Sequence, residues 1–152
     1  MKVLYWSFLI FLGSIGGFVK NEHLSMIQSI IQRMGNNSFC LKGWAVVIIV
    51  AIFTFAGEQD NIRCILFTNI PLVVFWGLDA YYLQLERKYR LLYDDVRMRK
   101  KEDIDFDMNF NNVMTSVGNI NKISYFSSLF SKTEILFYMT CIITTILIYL
   151  FV

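Results

Sequence analysis

Long apolar runs separated by polar segments dominate this chain and predict its architecture. Three runs, at residues 41–57, 64–83 and 135–152, each approach the roughly 20 residues that a helix needs to cross a bilayer. Inside hydrocarbon a span must satisfy its backbone hydrogen bonds internally, so it forms either a helix or part of a closed barrel. We therefore predict an all-α membrane protein.

A fourth apolar run, at residues 3–19, leaves the number of spans open. It follows a single Lys2 and contains a flexible stretch from Gly13 to Gly17. It could cross the membrane or lie in the interface, and the lack of a small-residue cleavage site argues against a secretory signal peptide. We expect three or four transmembrane helices, with this segment retained at the membrane.

The polar segments divide the chain further. Leu24 and Ile27 belong to an apolar stripe at helical spacing, which predicts an amphipathic helix ending at Gly35, with residues 36–38 capping the next helix. The predicted order of segments is an apolar N-terminal segment (1–20), the amphipathic helix (21–35), a transmembrane hairpin (41–83), a cytoplasmic region (84–132) and a C-terminal transmembrane helix (133–152).

Charge sets the expected orientation. The chain is 56% hydrophobic and only 17% charged, and nine of its fourteen Lys and Arg residues lie between the second and third runs. By the positive-inside rule that region is cytoplasmic, so the polar turn at residues 58–61 is external.

An apolar heptad pattern continues from the second span into the charged region and predicts a helix running from residue 64 to 101, kinked at Pro71. Its cytoplasmic part could pack on a neighbouring copy of the chain or on residues 24–34 of the same chain. The expected oligomer seam consists of Leu85, Tyr89, Leu92 and Val96.

Asp79 is the most informative single residue, because it lies near the cytoplasmic end of an apolar span. A carboxylate there is costly unless it faces water or a partner. It could be a pore acid that attracts cations. The alternative is a structural partner for Lys42, Arg33 or a tyrosine hydroxyl.

Basic and aromatic residues cluster after the second span. They could be a topology signal that contacts anionic lipid, or, in a ring of subunits, a collar that binds a polyanion on aromatic faces. The ligand-binding candidates are Arg87, Lys88, Tyr89, Arg90, Tyr93, Arg97, Arg99, Lys100 and Lys101.

Little in the sequence points to catalysis. There is no nucleotide-binding, hydrolase or metalloprotease motif, so we expect no enzyme activity, no cofactor and no metal site. His23, the single histidine, is expected at the surface or at a helix start. Asp103, Asp105 and Asp107 alternate with apolar residues, which predicts a short half-buried strand or an extended segment on a partner and matches only the start of a calcium loop. The stretch 111–131 is expected to be a loop.

Several sequence stretches resemble a family of small bacterial multi-pass membrane proteins. They include the run from His23 to Trp44, the motif from Phe75 to Leu83 with Glu86 and Arg87, and residues 92–97, 105–108 and 130–133. Proteins of this kind act as membrane effectors in anti-phage defence, and the nearest resemblance is to the channel component of Hailong-type systems. The resemblance implies a homo-oligomer, a tetramer in particular, in the bacterial inner membrane. It also implies a nucleotidyltransferase encoded nearby, whose short single-stranded DNA oligomers hold the channel closed.

Two functions follow as expectations. The first is an oligomeric ion channel that disrupts the membrane potential under control of a cytoplasmic nucleotide or DNA oligomer. The second is a non-conducting membrane scaffold or partner subunit.

Overall fold

A computed structural model describes residues 2–58, 63–100, 106–110, 113 and 123–151, with side chains described for 16–56, 65–100, 106–110, 113 and 123–150. Within these ranges the chain is mostly helical and contains no strand. The helices are α1 (Lys2–Glu58), α2 (Arg63–Phe67), α3 (Asn69–Met98), α4 (Tyr125–Leu129) and α5 (Lys132–Phe151).

Three helical stretches in the described part of the chain are long and apolar enough to cross a membrane. They are Gly16–Ala56, Ile65–Met98 and Lys132–Leu150. The all-α class expected from the apolar runs is therefore confirmed for the described residues, together with helices suited to a bilayer.

Helix α1 is longer than the sequence pattern predicts. The expected end at Gly35 is wrong, because the helix continues through Gly35 and residues 36–38 to Glu58. A glycine ends a helix by adopting a left-handed backbone, and no described glycine has a positive φ. Ser38, expected as a cap, instead donates its hydroxyl to Asp79.

The second span is divided into two helices at Thr68. The predicted continuous helix from residue 64 to 101 is therefore wrong, because α2 ends at Phe67, α3 begins at Asn69 and α3 ends at Met98. In place of the expected kink at Pro71 there is a break three residues earlier. Pro71 cannot donate to the carbonyl of Phe67 one turn earlier. The Asn69 side-chain amide donates to the neighbouring Leu66 carbonyl at 3.2 Å, which satisfies one backbone group at the break.

The region after α3 departs from two expectations. Residues 106–109 have no regular structure, so the extended segment is not a strand there, and Asp103 and Asp105 lie outside the described residues. The predicted loop at 111–131 contains α4, and the Ser131 carbonyl accepts the first hydrogen bond of α5 from the Ile135 N–H at 2.9 Å.

The described residues fall into two compact units. The first unit lies within Met1–Arg33 and Glu86–Gly118, and the second unit lies within Met34–Leu85 and Asn119–Val152. An apolar cluster forms the core of the first unit. Its buried residues are Ile27, Ile31, Leu92, Val96 and Val113.

The apolar cluster requires a correction to the expected oligomer seam. Leu92 and Val96 are each only 2% exposed, and they pack against Ile27 and Ile31 of the same chain. Tyr89 packs at the edge of the same cluster and meets the Phe110 ring edge to face at 5.5 Å. The alternative of packing within the chain therefore accounts for these three residues. Leu85, the fourth expected seam residue, belongs to the second unit and is partly buried.

His23 is also placed differently from the expectation. It is fully buried in the middle of α1, and its ring lies 5.1 Å from that of Phe106. Phe106 has a φ of 54°, a left-handed backbone that is unusual for a bulky residue. Neither ring nitrogen of His23 has a hydrogen-bond partner among the described residues. The helix-start and surface roles are therefore wrong.

Lys20 fixes the end of α3 in the first unit. Its Nζ donates to the carbonyls of Arg97 and Arg99 at 2.8 and 2.7 Å. The last carbonyls of a helix lack partners within the helix and carry its negative dipole end, so a lysine ammonium is a favourable cap.

Candidate functional site

A buried polar cluster joins three helices in the second unit. We call it the Lys42 cluster, and it consists of Ser38, Lys42, Asp79, Glu134 and Tyr138. Helix α1 supplies Ser38 and Lys42, and α5 supplies Glu134 and Tyr138. Each pair is four residues apart, so both members lie on one helix face. Helix α3 supplies Asp79 between them.

Asp79 accepts the largest number of bonds in the Lys42 cluster. The Asp79 side chain is fully buried. Its Oδ1 accepts from the Ser38 hydroxyl, and its Oδ2 accepts from Lys42 Nζ and from the Tyr138 hydroxyl, the last at 3.1 Å. The structural partners expected as the alternative for Asp79, a lysine and a tyrosine hydroxyl, are therefore present. A role for Asp79 in conduction stays a prediction.

Lys42 bridges the two carboxyl groups. Besides Asp79, its Nζ donates to the Oε1 and Oε2 atoms of Glu134 at 3.0 and 3.3 Å, and it lies 3.1 Å from the Ser38 hydroxyl. Ionisable side chains in membrane-spanning helices are expensive unless they pair with one another. The pairing explains how three ionisable side chains are tolerated in largely apolar helices.

Aromatic packing holds Tyr138 in place. Its ring stacks on Trp76 at 6.2 Å, and the Trp76 indole N–H donates to the Leu129 carbonyl at 3.0 Å. Phe130 meets Trp76 edge to face at 6.4 Å. The indole is therefore fixed between α4 and α5, and the hydroxyl of Tyr138 is presented to Asp79.

Gly77 permits a close approach of α4 to α3. The Tyr125 hydroxyl donates to the Gly77 carbonyl at 3.1 Å, and a Cβ added at Gly77 would lie 3.2 Å from the same hydroxyl. A larger residue would push Tyr125 away. A Cβ at position 77 would thus require the Tyr125 hydroxyl to shift by a few tenths of an ångström, and no unusual backbone angle is involved.

A second polar contact ties α5 to α3 away from the Lys42 cluster. The Thr145 hydroxyl, fully buried, donates to Asn69 Oδ1 at 2.9 Å. Asn69 sits at the break before α3, where its amide nitrogen bonds the Leu66 carbonyl. The Asn69 side chain therefore makes both contacts: its amide nitrogen bonds a carbonyl at the break, and its amide oxygen accepts from Thr145 on α5.

Most of the predicted ligand-binding arginines are paired on α3. Arg90 Nε donates to Glu86 Oε1 at 2.9 Å, Arg99 pairs with Asp95 at 2.7 Å, and Arg97 lies 3.8 Å from Asp94. The Arg97–Asp94 pair is exposed on both sides, and exposed pairs contribute little stability, so a stronger anion could displace that carboxylate.

The remaining basic candidates have different surroundings. Lys88 lies 5.1 Å from the centroid of the Phe110 ring, a cation–π contact. Lys100 is exposed and Arg87 is partly buried. Lys101 lies outside the described residues.

A cavity of about 280 Å³ in the first unit brings two of the candidates together. Arg90 and Tyr93 line it from α3, together with Asp94, while Gln28 and Ile31 line it from α1. The cavity therefore combines a guanidinium, an aromatic ring, an amide and a carboxylate. Those are groups that can contact a phosphate, stack on a base and bond a base edge.

Sequence reasoning missed Glu134 and Ser38. Glu134 lies within the predicted C-terminal transmembrane helix (133–152) but was given no role or partner there, and Ser38 was interpreted as a cap. A usable signal exists in the sequence: Glu134 and Tyr138, like Ser38 and Lys42, are polar residues four apart at a span end.

No family model, curated protein or solved structure matches this chain. The class that the described residues define is an α-helical chain with three helices long and apolar enough to cross a membrane.

Proposed function

We propose that this chain is one subunit of a homo-oligomeric ion channel in the bacterial inner membrane. It would act as an anti-phage effector that collapses the membrane potential, controlled by a cytoplasmic nucleotide or short single-stranded DNA oligomer. The resemblance noted above supports the defence role, the tetramer, and a nucleotidyltransferase partner encoded nearby. The structural support concerns the channel and the ligand.

The observation that carries the channel proposal is a hydroxyl stripe on the exposed face of α5. Thr133, Thr140 and Thr144 are exposed and share that face, although the other exposed residues from Thr133 to the end of α5 are apolar. The Thr144 hydroxyl bonds only the carbonyl of its own helix at Thr140, at 2.8 Å. Three spans are too few to enclose a water path in one chain. Several copies that turn this face inward would line a pore with hydroxyl groups.

Conductance tests the stripe directly. We expect the purified chain to conduct in planar bilayers, and the Thr140→Val/Thr144→Val variant to conduct several-fold less, because a dry apolar surface replaces polar groups that solvate an ion. Thr54→Val is the matched control, since Thr54 is also exposed and bonds the Val50 carbonyl four residues earlier at 3.0 Å. Equal conductance in the double variant and the wild type would remove α5 from the pore.

The cavity beside Arg90 and Tyr93 supports ligand control. A charged ligand that neutralises phosphates must bind more weakly as salt rises, because counterions are released on binding. We expect a labelled oligonucleotide to bind the full chain at low salt. Arg90→Gln and Tyr93→Leu should each weaken binding by about tenfold, corresponding to about 1.4 kcal/mol.

Fluorescence anisotropy at two salt concentrations measures this binding. Arg33→Gln is the matched control, because it removes the same charge from an exposed position of α1 in the first unit. If wild type does not bind oligonucleotides at low salt, the ligand proposal fails and the channel proposal stands separately.

The second candidate, a non-conducting scaffold, is favoured by the burial of Asp79. Its partners within the chain occupy both carboxylate oxygens. Asp79→Asn distinguishes the two functions. Lower conductance or altered selectivity in an intact oligomer favours the channel, whereas reduced assembly with no conductance in either form favours the scaffold.

A further inference from the structure

The Lys42 cluster contains more acidic than basic groups. The elements that pack around it contribute Lys42 from α1, Asp79 from α3, and Glu134 and Tyr138 from α5. The ion pairs of the described residues give it one cation and two carboxyl groups. With both carboxyls ionised the cluster would carry a net charge of −1 in apolar helices.

Such a charge is costly to bury. Both carboxyl side chains are almost inaccessible, at 0% for Asp79 and 3% for Glu134. An uncompensated buried charge is destabilising by several kcal/mol, and real proteins relieve it by taking up a proton or a counter-ion. A proton is the smallest such ligand and requires no additional space.

The hydrogen bonds assign that proton to one side chain. Asp79 accepts from three donors, all of which favour its ionised form, whereas among the described residues Glu134 accepts only from Lys42.

We propose that Glu134 binds a proton at neutral pH, so that the Lys42 cluster is neutral with its negative charge on Asp79. The proton site goes beyond the channel proposal and holds equally for a scaffold. It makes the attachment of α5 sensitive to pH, because loss of the proton leaves a second carboxylate competing for the same ammonium.

Infrared spectroscopy of the full chain in lipid tests the site without any activity assay. A protonated carboxyl gives a carbonyl band that shifts in D2O, and we expect this band in the wild type at neutral pH and its loss in Glu134→Gln. Glu86→Gln is the control, because Glu86 pairs with the exposed Arg90. Absence of the band in wild type overturns the proposal, as does a band kept in Glu134→Gln.

Thermal unfolding gives an independent measurement. Over the pH range in which the folded state holds the Glu134 proton and the unfolded state has lost it, the folding equilibrium constant falls by up to tenfold for each unit of rising pH. We expect the melting temperature of wild type to drop as the pH rises from about 5, just above the ordinary pKa of a free glutamate, to about 7, and that of Glu134→Gln to change less. Gln resembles the protonated acid, so a Glu134→Gln chain that fails to fold, or one with an unchanged pH dependence, contradicts the proposal.

Discussion

The two compact units are held together in opposite ways. The first unit carries most of the charged residues of α3, yet its core is the apolar cluster around Leu92, and its ion pairs lie at the surface. The second unit has few charges, yet Lys42, Asp79 and Glu134 are paired in its interior. The number of charges in a region therefore says little about how much they contribute to holding it together.

The sequence predicts water around the charged first unit and lipid around the apolar spans of the second unit, and these two environments account for the contrast. Water screens exposed pairs and makes each worth little, so the charged region must rely on apolar packing. In a bilayer the lipid tails are as apolar as leucine, so helices gain little from apolar contacts alone and association uses close packing and polar bonds. The Lys42 cluster and the Thr145 contact with Asn69 supply such bonds.

The largest effect is expected when Lys42 is replaced. Lys42→Met keeps the volume but leaves a buried carboxylate without its cation, and we expect a loss of about 3–5 kcal/mol in unfolding free energy. Lys132→Met is the control, because Lys132 is exposed at the start of α5. Reversible unfolding in mixed micelles measures the unfolding free energy of both variants. Equal losses would show that the buried Lys42 pairs stabilise the second unit no more than an exposed lysine does.

Removal of Leu92 tests the apolar unit. Leu92→Ala should cost about 2–5 kcal/mol, because a buried side chain leaves a cavity among Ile27, Ile31 and Val96. Met98→Ala, at a side chain 78% exposed on the same helix, should cost much less. The molar mass by light scattering should not change, and dissociation of the assembly by Leu92→Ala would return this residue to an intersubunit seam.

A smaller effect is expected from two neighbouring threonines. Thr145→Val removes the bond to Asn69 between helices and should cost about 0.6–1.7 kcal/mol. Thr144→Val removes a hydroxyl that bonds only within α5 and should be close to neutral for stability. The difference between the two variants isolates the contact between helices, and no difference would show that this polar bond contributes nothing.

The smallest effect belongs to the surface pairs of the first unit. Glu86→Gln removes the partner of Arg90 and should change stability by less than about 0.5 kcal/mol. Because salt screens the pair further, the difference in unfolding free energy between wild type and Glu86→Gln should stay near zero when salt is added. A loss comparable to that of Lys42→Met would contradict the distinction between the two units.

Hydrophobicity patterns predicted the helices of this chain better than their ends. Apolar runs located all three span-competent stretches, because the length of an apolar run is a direct consequence of bilayer thickness. The predicted end at Gly35 failed because glycine only permits a left-handed cap, and the surrounding helix overrode that local preference.

The site was predictable in part. Asp79 stands out in the sequence because a carboxylate in an apolar run needs a partner, and Lys42 was among the partners considered. Glu134 and Ser38 could not be assigned, since one sequence does not show which faces of α1, α3 and α5 meet. The heptad pattern similarly showed that Leu92 and Val96 were buried, but not by which helix.

Stability measurements on a double variant test the central claim, that paired buried charges hold the second unit together. If Lys42→Met is destabilising because it strands a carboxylate, adding Asp79→Asn removes that charge, so the double variant should be more stable than Lys42→Met alone by about 1 kcal/mol or more. The unfolding free energies of wild type, both single variants and the double variant complete the cycle. Simple addition of the two losses would contradict the account.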